Sequence, residues 1–114
     1  TEISMSNSDH HIALTVTADG SYSYSGGNDG GNGDVVNKVG KGPANMHISL
    51  EAPSGFKITN VDLSGPGISW KIQGDKKVKV DNDCKNPLNV KYSIIVFNPT
   101  TGDDIFCDPR VINN

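Results

Sequence analysis

Apolar and polar residues alternate with a period of two along much of the chain. In the segment His11–Ala18, Ile12, Leu14 and Val16 alternate with polar or small residues. Successive side chains of a strand point to opposite faces, so this pattern is typical of a strand with one buried face. The alternation returns in four further segments: Met46–Leu50, Ile68–Ile72, Val78–Val80 and Val90–Val96. No segment keeps a helical apolar spacing over three turns, so no helix is predicted.

Turn-forming residues separate these segments at short intervals. They are Asp19-Gly20, Pro53-Ser54-Gly55, Gly65-Pro66-Gly67, Gly74-Asp75, Asn86-Pro87 and Pro99-Thr100-Thr101-Gly102. Seven or eight short strands joined by such turns predict an all-β fold, an antiparallel β-sandwich with a small Greek-key barrel as the alternative. Neither a linker nor an internal repeat is visible, so residues 1–114 are interpreted as one domain. The apolar phase shifts between Ile58 and Val61, which predicts a β-bulge near Thr59 or Asn60.

The register of the last hairpin follows from its loop. Val90–Asn98 is a predicted strand, four loop residues follow, and Asp103–Asp108 returns antiparallel. Opposed residue numbers then add up to 201, so Cys107 opposes Ile94 on the core face. Residues on the other face are paired as Phe97 with Asp104, Ile95 with Phe106, and Ser93 with Asp108.

Asp108 is thus expected beside apolar neighbours on a face that should be polar. Either another strand layer or another subunit covers Phe97, Ile95 and Phe106, or these residues form an exposed apolar patch. If the face is covered, loss of solvent raises the pKa of Asp108 and leaves a protonated acid available near neutral pH. Burial of this face also predicts a homo-oligomer.

Composition limits the classes of binding partner that are expected. Ten Lys and Arg residues against 13 Asp and Glu residues give a formal net charge of -3, so no global positive field attracts nucleic acid. With 34% apolar residues and a mean hydropathy of -0.41, no membrane span is expected. Lysines cluster at one predicted hairpin, and an anionic partner there is an alternative to simple solvation of the strands. These lysines are Lys71, Lys76, Lys77 and Lys79.

No metal or cofactor is predicted. His10 and His11 are neighbours that face opposite sides of a strand, and His47 has no second ligand at a recognisable spacing. The segment Ser25–Asp34 is rich in glycine, lacks a repeated calcium motif, and is interpreted as a flexible loop. Asp81–Tyr92 fails as an EF-hand because position six is not glycine and position twelve is not glutamate.

Neither the cysteines nor the first residues determine the cellular compartment of the protein. Cys84 and Cys107 form either a disulfide, which would contribute about 3 kcal/mol, or two core thiols. The first residues lack a signal-peptide pattern, so such a peptide is either absent or already removed. A secreted or periplasmic location is slightly favoured over a cytoplasmic one.

The dipeptide Asp108-Pro109 has chemistry of its own. The Asp108 carboxyl can attack its own backbone carbonyl through a five-membered ring, while the tertiary amide nitrogen of Pro109 leaves readily once it is protonated. The Asp108–Pro109 bond is therefore a candidate for self-cleavage, although Asp-Pro is also a frequent turn initiator. Ser93 could orient the Asp108 carboxyl by a hydrogen bond. A second acid would come from Glu51, Asp81, Asp83 or another subunit.

The run Phe106–Asn114, with Asp108-Pro109 near its start, resembles the signature of the small bacterial DP-EP family, named for its Asp-Pro and Glu-Pro motifs. The resemblance implies an all-β sandwich and a self-acting aspartic-type peptidase that cuts its own Asp-Pro bond. It makes Asp108 the catalytic residue and Pro109 the new N-terminus. The chain departs from the pattern in having no Glu-Pro dipeptide, only Glu51-Ala52-Pro53.

Two non-catalytic functions compete with self-cleavage. In the first, the Ser25–Asp34 loop or the Lys71–Lys79 hairpin binds carbohydrate or an anionic surface. In the second, the chain is a structural subunit that assembles through the apolar face around Phe97 and Phe106.

Overall fold

The computed structural model describes residue 7 and residues 9–28, 31–107 and 110–113. This part of the chain forms eleven strands and holds no helix long and apolar enough to cross a membrane. The strands are β1 (His10–Val16), β2 (Tyr22–Gly26), β3 (Val35–Asn37), β4 (Met46–Glu51), β5 (Lys57–Asp62), β6 (Ile68–Gln73), β7 (Lys77–Asn82), β8 (Leu88–Lys91), β9 (Ser93–Phe97), β10 (Asp104–Cys107) and β11 (Arg110–Asn113).

The strands are arranged in three sheets. Sheet A has the order β2-β1-β4-β7-β6, sheet B the order β3-β11-β8, and sheet C the order β10-β9-β5. Apolar side chains from all three sheets meet in one core, including Leu14 of β1, Val35 of β3 and Ile94 of β9, none of which is exposed to solvent. The predicted all-β, sandwich-like class is therefore confirmed.

Alternation of side chains produces this core. In β1, Ile12, Leu14 and Val16 are buried, while the residues between them are exposed or partly exposed. The predicted bulge is confirmed, because the register of β5 against β9 shifts between Ile58 and Asn60. The shift lets both Ile58 and Val61 point into the core despite their odd spacing.

Two details of the predicted fold are wrong. The sheets are mixed rather than purely antiparallel, because β1 pairs parallel with β4 and β11 pairs parallel with β3. There are also more than eight strands, in part because the expected strand Val90–Asn98 divides at Tyr92 into β8 of sheet B and β9 of sheet C. Local alternation reports which faces are buried but carries no information on which distant strand pairs with which.

The described part of the glycine-rich segment is anchored rather than a plain flexible loop. Asn28 donates its side-chain amide to Val36 O at 2.8 Å, and its side-chain oxygen accepts from Val36 N at 2.8 Å. Gly33 is buried with φ of +89°, and a Cβ there would lie 2.7 Å from the Cβ of Tyr24. Glycine is thus required at position 33 by both backbone conformation and packing.

Candidate functional site

The terminal hairpin has the predicted register. Phe106 pairs with Ile95 and Cys107 with Ile94, as the loop length requires. Cys107 and Ile94 are both completely buried, so this face of the hairpin belongs to the core. The chain therefore enters the segment Asp108-Pro109 from a fixed strand.

A hydrogen bond from sheet A holds the end of β10. The Tyr24 hydroxyl donates to Cys107 O at 2.8 Å. The Tyr24 ring contacts the Tyr92 ring edge-on, with ring centroids 6.3 Å apart, and the Tyr92 hydroxyl donates to Gly33 O at 3.1 Å. Burial raises the pKa of Tyr92 well above its ordinary value, with a smaller contribution from the negative charge of Asp34. Tyr92 therefore stays neutral and keeps its hydroxyl proton for this bond.

Asp108 and Pro109 themselves lie outside the described residues, but the strands on either side are known. β10 ends at Cys107 in sheet C, and β11 begins at Arg110 in sheet B. In the strands that pair with β11 and β10, Tyr92 likewise lies between β8 of sheet B and β9 of sheet C. The two residues that contain the candidate scissile bond thus connect two sheets.

Ser93 is the first residue of β9 and is partly exposed. It pairs with Asp62, the last residue of β5, whose side chain is exposed. Sequence reasoning missed Asp62 because the pairing of β5 with β9 joins residues that are distant along the chain. A carboxylate therefore lies next to Ser93 in the sheet without having been among the expected companion acids.

Two of the expected companion acids lie across the core from β9. Glu51 and Asp81 lie on the outer face of sheet A, whereas sheet C packs against its inner face. Asp83 follows β7 and accepts a hydrogen bond from Lys85 N at 3.0 Å within its own turn. Glu51 and Asp81 are thus separated from Ser93 by the core, whereas Asp108 itself lies outside the described residues.

Among the residues that the structure describes, the outer face of sheet C is covered only in part. Phe106 is 58% exposed, whereas Phe97 is partly exposed and Ile95 is 9% exposed. Phe106 and Phe97 thus leave apolar surface exposed on this face, whereas Ile95 is buried. Full burial of Phe106 would require a further layer or a second molecule.

A second polar cluster lies on the outer face of sheet A. The parallel pairing of β1 with β4 places His11 directly beside His47, with their rings stacked at a centroid distance of 5.0 Å and an angle of 16°. His47 Nε2 lies 3.6 Å from a carboxylate oxygen of Asp9. The pKa of Asp9 is lowered, first by the hydrogen bond from Asn45 N and then by contact with His47. Sequence spacing gave no sign of this cluster because 36 residues separate the two histidines.

Two shallow clefts meet at this histidine pair. One has a volume of about 260 Å³ and reaches Gln73 and Lys77, and the other has about 310 Å³ and reaches Ser25 and Glu51. His11, His47 and Ser49 line both clefts. This is a surface that offers several hydrogen-bond donors at once.

Within the described ranges, no group of three or more His, Cys, Asp and Glu residues is placed to hold a metal ion. No protein-family model and no curated protein matches the chain.

Proposed function

We propose that the protein cleaves its own Asp108–Pro109 bond. The observation that carries this proposal is the restraint on both sides of the bond. Before the bond, Cys107 is paired with β9 and accepts the Tyr24 hydrogen bond. After it, β11 starts at Arg110 and pairs with both β8 and β3. Holding the reacting segment in one geometry is how a fold accelerates an intramolecular reaction.

The proposed reaction needs no cofactor. A carboxylate oxygen of Asp108 attacks its own backbone carbonyl carbon and forms a cyclic anhydride. The bond from this carbon to the Pro109 nitrogen breaks, and the nitrogen takes a proton from an acid. Water then opens the anhydride, which regenerates the Asp108 side chain and leaves a new carboxyl terminus at Asp108.

Asp62 and Ser93 are the side chains that support this chemistry from the described part of the chain. The predicted register opposes Ser93 to Asp108, and Ser93 pairs with Asp62 on its other side. In the proposal, Ser93 orients the Asp108 carboxyl, and Asp62, two strand spacings or about 10 Å from position 108, supplies the proton through a bridging water. The Pro109 nitrogen must gain a proton as its bond to Asp108 breaks, so cleavage is expected to accelerate as the pH falls from neutral to mildly acidic.

Cleavage would not separate the fragments under native conditions. β11 makes ladder hydrogen bonds with β8 and β3, and these do not depend on the bond to Asp108. The product must therefore be measured after denaturation. Denaturing mass spectrometry is expected to show a fragment that ends at Asp108 and a peptide that begins at Pro109, whereas native size measurements stay unchanged.

The chain supplies a matched control. Asn86-Pro87 lies in an exposed loop, so Asn86→Asp creates a second Asp-Pro bond of the same local chemistry. The Asp108–Pro109 bond is expected to break at least tenfold faster than the bond created at position 86, and neither Asp108→Asn nor Pro109→Ala should be cut at position 108. Equal rates at the two Asp-Pro bonds would mean ordinary acid lability and would contradict the proposal.

A second candidate function is self-association through sheet C. Across its outer face, Lys57, Phe97 and Asp104 form one row, with Phe97 in the middle. A two-fold axis along β9 would place Lys57 of each copy against Asp104 of the other and Phe97 against Phe97. The ion pairs found among the described residues involve neither Lys57 nor Asp104. The face is thus self-complementary in charge and has a partly exposed apolar centre.

Charge reversal tests this second candidate. Lys57→Glu and Asp104→Lys each place like charges opposite one another and are expected to weaken the dimer. The double variant restores the pairing with the signs exchanged and should dimerise like the natural sequence. Sedimentation equilibrium measures all four proteins. A monomer at every concentration, or a double variant that is as weak as the single ones, would exclude this interface.

A further inference from the structure

The outer face of sheet A carries a row of basic residues that crosses four strands. His11 pairs with His47, His47 with Lys79, and Lys79 with Lys71. Neighbouring strands are about 4.8 Å apart, so the row presents four cationic or protonatable groups in line. The next row along the strands, through Ser49, holds uncharged donors and one more lysine: Ser49 pairs with Lys77, and Lys77 with Gln73.

The acidic residues of this face border the two rows, and one of them contacts His47. Asp9 and Asp81 are already paired, with His47 at 3.6 Å and Lys79 at 3.5 Å. Glu51 lies at the far end of the second cleft. β2 contributes serines to this face and no charge. The groups that surround the histidine pair are therefore two paired carboxylates, one further carboxylate and the lysines at 71, 77 and 79.

We propose that this surface, centred on His11, His47 and Ser49, binds an acidic glycan. The two imidazoles, the Lys77 ammonium and the Ser49 hydroxyl hold the sulfate or carboxylate of the sugar by hydrogen bonds, of which those from cationic groups are charge-assisted. Ser25, Glu51 and Gln73, which line the outer parts of the clefts, bind hydroxyl groups of the adjoining sugar units.

The composition of the face selects this ligand over other anions. Apart from the two imidazoles, which stack on each other, its rows contain no aromatic side chain on which a base could stack. They also contain no large apolar side chain that could enter a lipid layer. A divalent metal ion is disfavoured because Lys77 and Lys79 lie next to the two imidazoles. Hydroxyl, amide and carboxylate groups beside a cationic centre suit a charged sugar.

Binding is expected to strengthen as the pH falls. Histidine is the side chain type whose charge ordinarily changes between pH 8 and pH 5. Each imidazole that becomes cationic adds a charge-assisted hydrogen bond to the anion. The affinity at about pH 5.5 is therefore expected to be roughly tenfold higher than at about pH 8, which corresponds to about 1.4 kcal/mol.

The test is an NMR titration with sulfated lactose, unmodified lactose and inorganic sulfate. Sulfated lactose should shift the ring signals of His11 and His47 but not those of His10, which is buried and bonded to Asn37 at 2.8 Å. Lys77→Met should weaken binding several-fold, whereas Lys41→Met, the same charge change at an exposed position elsewhere, should not. His11→Asn combined with His47→Asn should remove the pH dependence.

Each competing outcome would overturn part of the proposal. Equal binding of unmodified lactose would remove the role of the anionic group. Inorganic sulfate binding as tightly as sulfated lactose would remove the role of the sugar. Affinity that does not change with pH, or that changes in the same way in the double histidine variant, would show that His11 and His47 are not the acid-dependent groups.

Discussion

The hydrogen bond from Tyr24 to Cys107 O allows the proposed restraint on the cleavage segment to be tested directly. Tyr24→Phe removes one hydroxyl from a partly buried ring and leaves the ring in contact with Tyr92. A hydrogen bond of this kind contributes about 1 kcal/mol net to stability. The variant is therefore expected to unfold at a lower urea concentration with an unchanged dependence on urea. It is also expected to cleave more slowly, because the Cys107 end of the segment gains freedom.

Tyr92→Phe is the matched control for this experiment. It removes a hydroxyl from the same aromatic cluster, but that hydroxyl holds Gly33 O rather than the cleavage segment. The two variants should lose similar stability, about 1 kcal/mol each, and only Tyr24→Phe should lower the rate at which the fragment ending at Asp108 accumulates. The reasoning is refuted if both variants slow cleavage equally, or if Tyr24→Phe leaves the rate unchanged while it lowers stability.

Other predictions concern the stability of the fold. Gly33→Ala would place a Cβ only 2.7 Å from Tyr24 Cβ at a position with positive φ. It is expected to lower the free energy of unfolding, measured in urea, by about 2 kcal/mol or more. A loss below half of that would contradict the packing described. Leu14→Ala, at a position with no exposed surface, should cost about 2 to 5 kcal/mol, measured the same way; a cost under about 1 kcal/mol would place Leu14 outside the core. The pKa of Tyr92 is raised in the folded state. Its contribution to the stability of the folded protein is therefore complete below about pH 10, the unfolded value, and is lost as the pH rises further. The melting temperature of the natural protein should fall more above pH 10 than that of Tyr92→Phe. The pKa of Asp19 is lowered, first by the Thr17 hydroxyl and then by Ser21 N. Its contribution to the stability of the folded protein should therefore be lost as the pH falls below about 4. The melting temperature of Asp19→Asn should be less sensitive to acid than that of the natural protein.

Local patterns were enough to predict much of sheet C and the buried faces of β1, β4 and β7. The four-residue loop fixes the pairing of Cys107 with Ile94, and the odd spacing of Ile58 and Val61 requires the bulge. Both depend on residues that are close in sequence or on the strict two-residue period of a strand.

What the sequence did not reveal depends on pairing between distant strands. Asp62 reaches Ser93 through the β5–β9 ladder, and His11 reaches His47 through a parallel pair. Parallel neighbours need a long connection, so no short spacing marks them. The division at Tyr92 has the same origin, since the apolar alternation of Val90–Val96 continues unbroken across two sheets. Residues that gather at the candidate sites are therefore visible only after the sheets are assembled.

The most direct measurement compares the cleavage rate of the folded protein with that of the same protein unfolded in urea, at one mildly acidic pH. If the paired strands on both sides of Asp108-Pro109 position the bond for attack, the fragment ending at Asp108 accumulates at least tenfold faster in the folded protein. If the bond breaks equally fast in the unfolded chain, the fold makes no contribution to the reaction and the proposed self-cleaving activity is wrong.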